Sequence, residues 1–386
     1  MESFAWYNPT RIQFGRGECG KVGELTRQYA ERVLLHYGGG SIHANGIYER
    51  VTRSLQEAGV EYIELGGVRP NPRLALVQEG IVLCRKEKID FILAVGGGSV
   101  IDSAKAIAAG TPYSGDVWDF YEGRALPEHT LKVGVVLTIP AAGSESSDGT
   151  VLTKEEGMSK RSFCSPLCYP QFSILDPELC RSLPVSQIAA GGADILAHIM
   201  ERYFSPTEGH TLSDHLCEGA MRTLIRELPR VLQDREDIAA WEQIMWTGNV
   251  AHNGLLGKGN AEDWASHEIE HELSALYDIA HGAGLAVIFP AWMKYVWREH
   301  PRKFVRFAQK VWDVSEENEE KTVLSAIAKT EAFFERCGLA VRLSGMQIDD
   351  SRFQEMAEKA CKGGTLGAFR KLDPADVEKI FRLALG

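Results

Sequence analysis

No run in this 386-residue chain is long and apolar enough to cross a bilayer. The longest apolar stretch, around residues 284–297, is interrupted by Pro290 and Lys294 and falls short of the ~20 residues a spanning helix needs. The opening MESFAWYNPTR lacks a basic segment followed by an apolar run, so no secretory leader is expected. The chain reads as cytoplasmic and soluble, with no membrane partner. A basic surplus is missing too. Lys and Arg number 42 against 53 Asp and Glu, a net charge of −11, which excludes a general polyanion binder and with it a nucleic-acid partner. A small anion site built on backbone dipoles stays open. The eight cysteines include no Cys-x-x-Cys pair and are expected as reduced thiols. Repeats and low-complexity segments are absent. What is present, 44% apolar and 25% charged residues, is the composition of an ordinary globular protein with ample core, and the length suggests two domains.

The two halves differ in period. In the first, short β-branched or apolar runs alternate with amphipathic stretches. Residues 32–37, 60–65, 91–95, 133–139 and 172–175 read as strands, and residues 41–59 and 72–87 as helices. The run FILAV at 91–95 is apolar throughout, as a strand covered on both faces requires. Such alternation implies a parallel sheet with helices on both faces. After Pro184 the pattern turns helical: residues 214–231, 235–255, 316–337 and 351–362 carry apolar residues at three- and four-residue spacing. Asp373-Pro374 opens a last helix. The boundary is expected near residues 177–184, where Asp176-Pro177 and Leu183-Pro184 punctuate the chain.

Two glycine clusters follow strands. Gly96-Gly97-Gly98-Ser99 ends the 91–95 run and opens a helix, and Gly38-Gly39-Gly40-Ser41 follows the 32–37 run. A strand–glycine–helix turn presents N–H groups and a positive helix end to an anion, and glycine lets a pyrophosphate approach the backbone. Neither cluster matches G-x-G-x-x-G. Two on one carboxyl edge favour a dinucleotide. The Gly38-Gly39-Gly40-Ser41 cluster carries no carboxylate that would contact a ribose 2′-hydroxyl and repel a 2′-phosphate, so NADP(H) is favoured over NAD(H); Glu64 is the remote carboxylate able to change that.

Five candidate metal ligands lie between 194 and 281. Asp194 and His198 are four residues apart, as are His267 and His271, and His281 precedes a glycine turn. This donor set suits one divalent ion, Fe²⁺ or Zn²⁺, and not Mg²⁺ or Ca²⁺. On one straight helix His267 and His281 would stand about 21 Å apart. The chain must therefore bend between about Leu276 and Gly284, with Gly282 and Gly284 as the means, or His281 is no ligand. His267-Glu268-Ile269-Glu270-His271 also matches H-E-x-x-H, so a zinc hydrolase with Glu268 as base is an alternative, one that leaves the glycine loops without a role.

Together these pieces resemble the iron-containing, or group III, alcohol dehydrogenases, in particular their NADPH-dependent butanol dehydrogenase/aldehyde reductase branch. The likeness runs over nearly the whole chain through FAWYNPTRIQFG, GGGSVIDSAKAI, LTIPAAGSE, ADILAHIMERY and HEIEH…HGAGLA. It implies an N-terminal Rossmann-like parallel-sheet domain (1–180) and a C-terminal helical metal-binding domain (181–386), with cofactor and metal in the cleft between them. By the same resemblance the metal ligands are Asp194, His198, His267 and His281, and His271 is a non-ligand beside substrate and nicotinamide, a candidate proton relay. Cofactor contacts fall on Gly38, Gly39, Ser41, Gly97, Gly98, Ser99, Asp102, Thr138, Ser147 and Lys160. The implied activity is hydride transfer between NADP(H) and small aliphatic alcohols or aldehydes such as butanol and butyraldehyde, by a homodimer. Ala142 and Ser147 depart from the threonine and asparagine common in the family. A dehydroquinate-synthase-like or polyol dehydrogenase member of the same fold is the neighbouring alternative; it calls for a basic cluster beside the histidine helices, and the sequence shows none. The aromatic residues Trp264, Tyr203 and Phe204 are read as pocket lining or core.

Overall fold

Phe91–Gly96 is buried at every position and forms strand β4, as its unbroken apolar run requires. In the computed structural model, which describes residues 1–209 and 211–386, this strand lies inside a six-stranded sheet. The other members are β1 (Arg11–Phe14), β2 (Arg32–Tyr37), β3 (Glu61–Leu65), β5 (Lys132–Leu137) and β8 (Phe172–Leu175). Every pairing is parallel and the order is β1-β8-β5-β4-β2-β3. β6 (Gly149–Lys154) and β7 (Ser159–Cys164) form a separate antiparallel hairpin. The helices of this unit, Tyr7–Leu183, are α1 (Val22–Arg27), α2 (Ser41–Ala44), α3 (Ile47–Glu57), α4 (Leu74–Glu87), α5 (Gly98–Gly110) and α6 (Trp118–Tyr121).

β2 and β4 are neighbours, with Tyr37 opposite Val95. From β2 the chain moves outward to the edge strand β3; from β4 it moves the other way, to β5. The strand order therefore reverses between β2 and β4, which is where open α/β sheets receive ligands at their carboxyl ends.

Three features depart from the sequence-based expectation. The stretch 41–59 is two helices, because Gly46 adopts φ +76° and breaks the first after Ala44. β1 is an additional strand: its four residues RIQF are not apolar enough to signal one, and their partner β8 is distant in sequence. The hairpin of β6 and β7 is additional as well, since residues 149–164 are polar and carry no clean alternation.

The second compact unit comprises Met1–Trp6 and Pro184–Gly386. It is built from α7 (Val185–Tyr203), α8 (Thr211–Gln233), α9 (Ile238–His252), α10 (Ala265–Tyr277), α11 (His281–Val296), α12 (Pro301–Val311), α13 (Glu319–Arg336), α14 (Phe353–Ala360) and α15 (Pro374–Leu385). α7 is buried continuously from Ile188 to Tyr203 and packs against α8, α9 and α11. Asp373 caps α15 in a reciprocal box with Asp376, as the Asp-Pro start implied. Among the described residues no helix is long and apolar enough to cross a membrane.

A buried histidine makes the sheet unit acid-sensitive. His36 on β2 is fully buried, its Nδ1 2.7 Å from the Leu65 carbonyl and its Nε2 2.9 Å from Ser103 Oγ. Burial lowers its pKa to about 4, against the opposing effect of the Leu65 bond. Between about pH 6.5 and 4 the unfolded chain binds a proton that the native chain refuses, so the stability present above 6.5 is lost as pH falls through this window. The loss is about 3 kcal/mol. Urea unfolding at stepped pH should show a slope shallower by that amount in His36→Gln; parallel slopes for the two proteins would refute the assignment.

Candidate functional site

In the helical unit, α7 carries Asp194 and His198 one turn apart, and both are buried. α10 carries His267 and His271, also buried. His281 is the first residue of α11 and is partly exposed. The reversal that returns His281 to His267 occurs at Asp278, which takes a left-handed φ of 51° and ends α10. The expected bend is therefore present, but Gly282 and Gly284 do not make it: both lie inside α11. They permit close packing instead. A Cβ on Gly282 would be driven into the Ala190 carbonyl of α7 and come within 3.2 Å of Asp194 Cβ. A Cβ on Gly284 would meet the Glu270 carboxylate at 2.5 Å.

Two triads of donor atoms result, each with its atoms within 4.8 Å of one another: Asp194, His267 and His281, and Glu270, His271 and His281. The His267 and His281 rings are 5.3 Å apart, and those of His271 and His281 5.4 Å. His198 belongs to neither triad; its ring stands 4.5 Å from that of His267. Its Nδ1 is 2.9 Å from both the Asp194 carbonyl and Asp194 Oδ1, which leaves Nε2 as the nitrogen that could bind an ion.

The hydrogen bonds distinguish the triads. Glu201 on α7 accepts from His267 Nδ1 at 2.7 Å and from the backbone of His267 and Trp264. His267 Nε2 is buried without a hydrogen-bond partner, an arrangement that asks for an electrophile. Burial, and then the neighbouring histidines, hold the His267 pKa well below the ordinary value, so the ring is neutral and able to ligate. In the second triad Glu270 is already engaged, by Ser274 Oγ and by His281 Nδ1. The residues of the first triad fit a divalent ion: one carboxylate and imidazole nitrogens, with an orphaned acceptor among them. The H-E-x-x-H pair does not converge, since His267 and His271 fall in different triads.

Sequence reasoning missed Glu201, Glu270 and His252. A signal for the first existed: Asp194, His198 and Glu201 sit at i, i+4 and i+7 on one face of α7. His252 accepts from Arg202 Nη2 at 2.8 Å, and its ring lies 4.5 Å from His198. Trp264 stands beside the site, its ring 5.0 Å from His267 and covered by the Arg202 guanidinium. Tyr203 and Phe204 are core residues, fully buried among Phe304 and Phe307.

In the sheet unit, Gly38 and Gly39 leave β2 and Ser41 opens the short α2. Gly97 caps α5, with Gly98 and Ser99 as its first residues, whose N–H groups have no partner within the helix. A Cβ at Gly96 would collide with Val100 at 2.4 Å, whereas at Gly97 and Gly98 it would make tight contacts of 3.1 Å with Ile139 and 3.2 Å with Ala142. At Gly39 and Gly40 nothing of the protein lies within 4 Å of that position. Glu64 accepts from Tyr37 Oη at 2.7 Å and Tyr48 Oη at 2.8 Å, so both of its oxygens are engaged.

The remaining candidates form internal bonds. Asp102 accepts from Ser144 Oγ and the Val151 N–H. Burial pushes Asp102 up and its neighbour Lys105 down, each held in check by the other's charge. Thr138 N donates to Gly96, Ser147 O receives Lys105, and Lys160 Nζ donates to Asn71 at 3.0 Å.

Known proteins resemble this chain over its whole length. The family described as iron-containing alcohol dehydrogenase matches residues 9–177, and the Fe-containing alcohol dehydrogenase family, C-terminal, matches 188–385. The chain is 42% identical over 387 residues to the probable NADH-dependent butanol dehydrogenase 1 of Bacillus subtilis, with 100% of each chain covered. It is 35% identical to the NADPH-dependent aldehyde reductase of Escherichia coli, over 93% of each chain. The structure of NADH-dependent butanol dehydrogenase A from Thermotoga maritima superposes with a TM-score of 0.97 at 40% identity, covering 100% of this chain and 99% of that one. The chain belongs to the iron-containing alcohol dehydrogenase family.

Proposed function

We propose that this protein is a metal-dependent alcohol dehydrogenase/aldehyde reductase acting on small aliphatic alcohols and aldehydes with NADP(H). The orphaned, buried Nε2 of His267 beside Asp194 and His281 carries the reading. Asp194, His198, His267 and His281 hold one divalent ion, Fe²⁺ or Zn²⁺. The glycine turns at Gly38–Ser41 and Gly97–Ser99, on either side of the strand-order reversal, take the dinucleotide, assisted by Asp102, Thr138, Ser147 and Lys160. When bound, the ion supplies Lewis acidity at a carbonyl oxygen and the nicotinamide supplies or accepts the hydride. Asp194 sets a fixed negative charge at the site. His271, one helical turn beyond His267 on α10, relays the alcohol proton toward solvent.

Metal analysis joined to an NADPH-oxidation assay with butyraldehyde tests this. His267→Ala should lose both the ion and at least ~10³-fold in kcat/KM, since a ligand to the catalytic ion is removed. His271→Ala should keep the ion and slow turnover by about 10²-fold. Loss of the ion from His271→Ala, or full activity after complete chelation, rejects the reading. The relatives carry names of both cofactor kinds, so the NADP(H) preference rests on the carboxylate-free loop and on the engaged state of Glu64; equal efficiency with NADH overturns it.

A further inference from the structure

The histidines at the centre do not orient themselves. Glu201 and Glu270 are both wholly buried, one on α7 and one on α10. Glu201 Oε1 lies 2.7 Å from His267 Nδ1. Glu270 Oε2 takes His281 Nδ1. Neither carboxylate sits there by default, because burying two acids is costly unless each is paired. Each also has a second anchor that fixes its own direction: the backbone N–H groups of Trp264 and His267 for Glu201, and Ser274 Oγ for Glu270. The result is one geometry made twice. With Nδ1 held from behind, His267 presents an unsatisfied Nε2, and His281 turns its Nε2 toward Asp194 Oδ1, 4.0 Å away.

We propose that Glu201 and Glu270 are positioning residues that lock His267 and His281 as Nδ1–H tautomers and aim both Nε2 atoms at one ion beside Asp194. A carboxylate behind a ligating imidazole also raises the basicity of its free nitrogen. The ring of His198 is fixed by its own helix turn instead, through the Asp194 carbonyl. Two of the three imidazoles thus depend on an acid that never touches the ion. This inference rests on the assignment of Asp194, His198, His267 and His281 as the ligands.

The experiment uses the full-length chain reloaded with Co²⁺, whose affinity is measured by chelator competition and whose visible absorption reports coordination geometry. Glu201→Ala and Glu270→Ala should each weaken Co²⁺ binding by about 10–100-fold and alter the absorption. Glu201→Gln and Glu270→Gln keep one of the two oxygen acceptors but lose the charge, and should fall between alanine and the parent, at least threefold weaker than the parent. A purely structural role would lower the melting temperature and leave Co²⁺ affinity in place. Folded alanine or glutamine variants within threefold of the parent overturn the proposal; if the alanine variants do not fold, the glutamine pair decides. His267→Ala runs alongside. Unchanged Co²⁺ affinity there breaks the ligand assignment itself, whereas its loss, with the glutamate variants unaffected, breaks only the positioning role.

Discussion

Gly282→Ala is expected to weaken metal binding at least 100-fold and to destabilise the helical unit, although it adds a single methyl group. Gly282 lies in α11 at an ordinary helical conformation, so backbone freedom is not what requires glycine here. The reason is the neighbour: a Cβ would enter the Ala190 carbonyl, which belongs to the turn of α7 that carries Asp194. Backbone cannot step aside as a flexible side chain can, so α11 must move outward by about 1 Å or more, and overpacking of this kind costs about 1–3 kcal/mol. His281 begins that same helix and moves with it. A shift of this size exceeds the ~0.2 Å tolerance of metal–ligand distances, and Co²⁺ or Zn²⁺ affinity should fall at least 100-fold. Gly219→Ala on α8 is the control: nothing lies within 4 Å of its Cβ position, and the change should stabilise the helix by about 0.5–1 kcal/mol. Metal stoichiometry and urea unfolding of the two variants provide the comparison. Parent-like metal content and stability in Gly282→Ala would show that the two helices are not held at this point.

The second large effect lies in the sheet unit. Lys105 on α5 is wholly buried, and its ammonium donates to the carbonyls of Ser144, Ser147 and Gly149 at 2.7, 2.8 and 2.9 Å. Ser144 Oγ, 3.0 Å from the same nitrogen, passes the chain of bonds on to Asp102. One side chain thereby fastens the segment 144–149, which leads into β6, onto α5. Lys105→Met keeps most of the volume but takes the ammonium from three carbonyls, two of them buried, and leaves Asp102 without its largest counter-charge. Breaking a buried pair in this way costs about 3–5 kcal/mol, which for a unit of this size lowers the melting temperature by about 10 °C. Calorimetry should show the loss in the transition of the sheet unit. A shift of less than about 2 °C would mean that water replaces the ammonium, so that the lysine is not the fastening.

Much of this was legible in the chain. FILAV reads as a strand covered on both faces, and it is buried throughout. Asp373-Pro374 could only open a helix, and it does so with a full capping box. The glycine turns stand where expected at the ends of β2 and β4, because a strand, a turn and a helix start are each written within a dozen neighbouring residues. Sequence patterns failed where the partner was remote. β1 pairs with a strand some 160 positions later in the chain. The glycines of HGAGLA suggested a bend that Asp278 makes instead, since nothing local reveals that Ala190 and Glu270 crowd them.

The same division applies to the candidate metal site. The sequence by itself determined which donors exist, that Asp194 and His198 share a helix face, and that His267 and His281 need a chain reversal to meet. Those are consequences of helix pitch and need no fold. Only the tertiary structure decided that His267 and His281 join Asp194, that Glu201 and Glu270 stand behind the two rings, and that β2 and β4 are neighbours across the strand-order reversal. Each depends on a contact between elements distant along the chain, made by packing, which periodicity within an element does not encode.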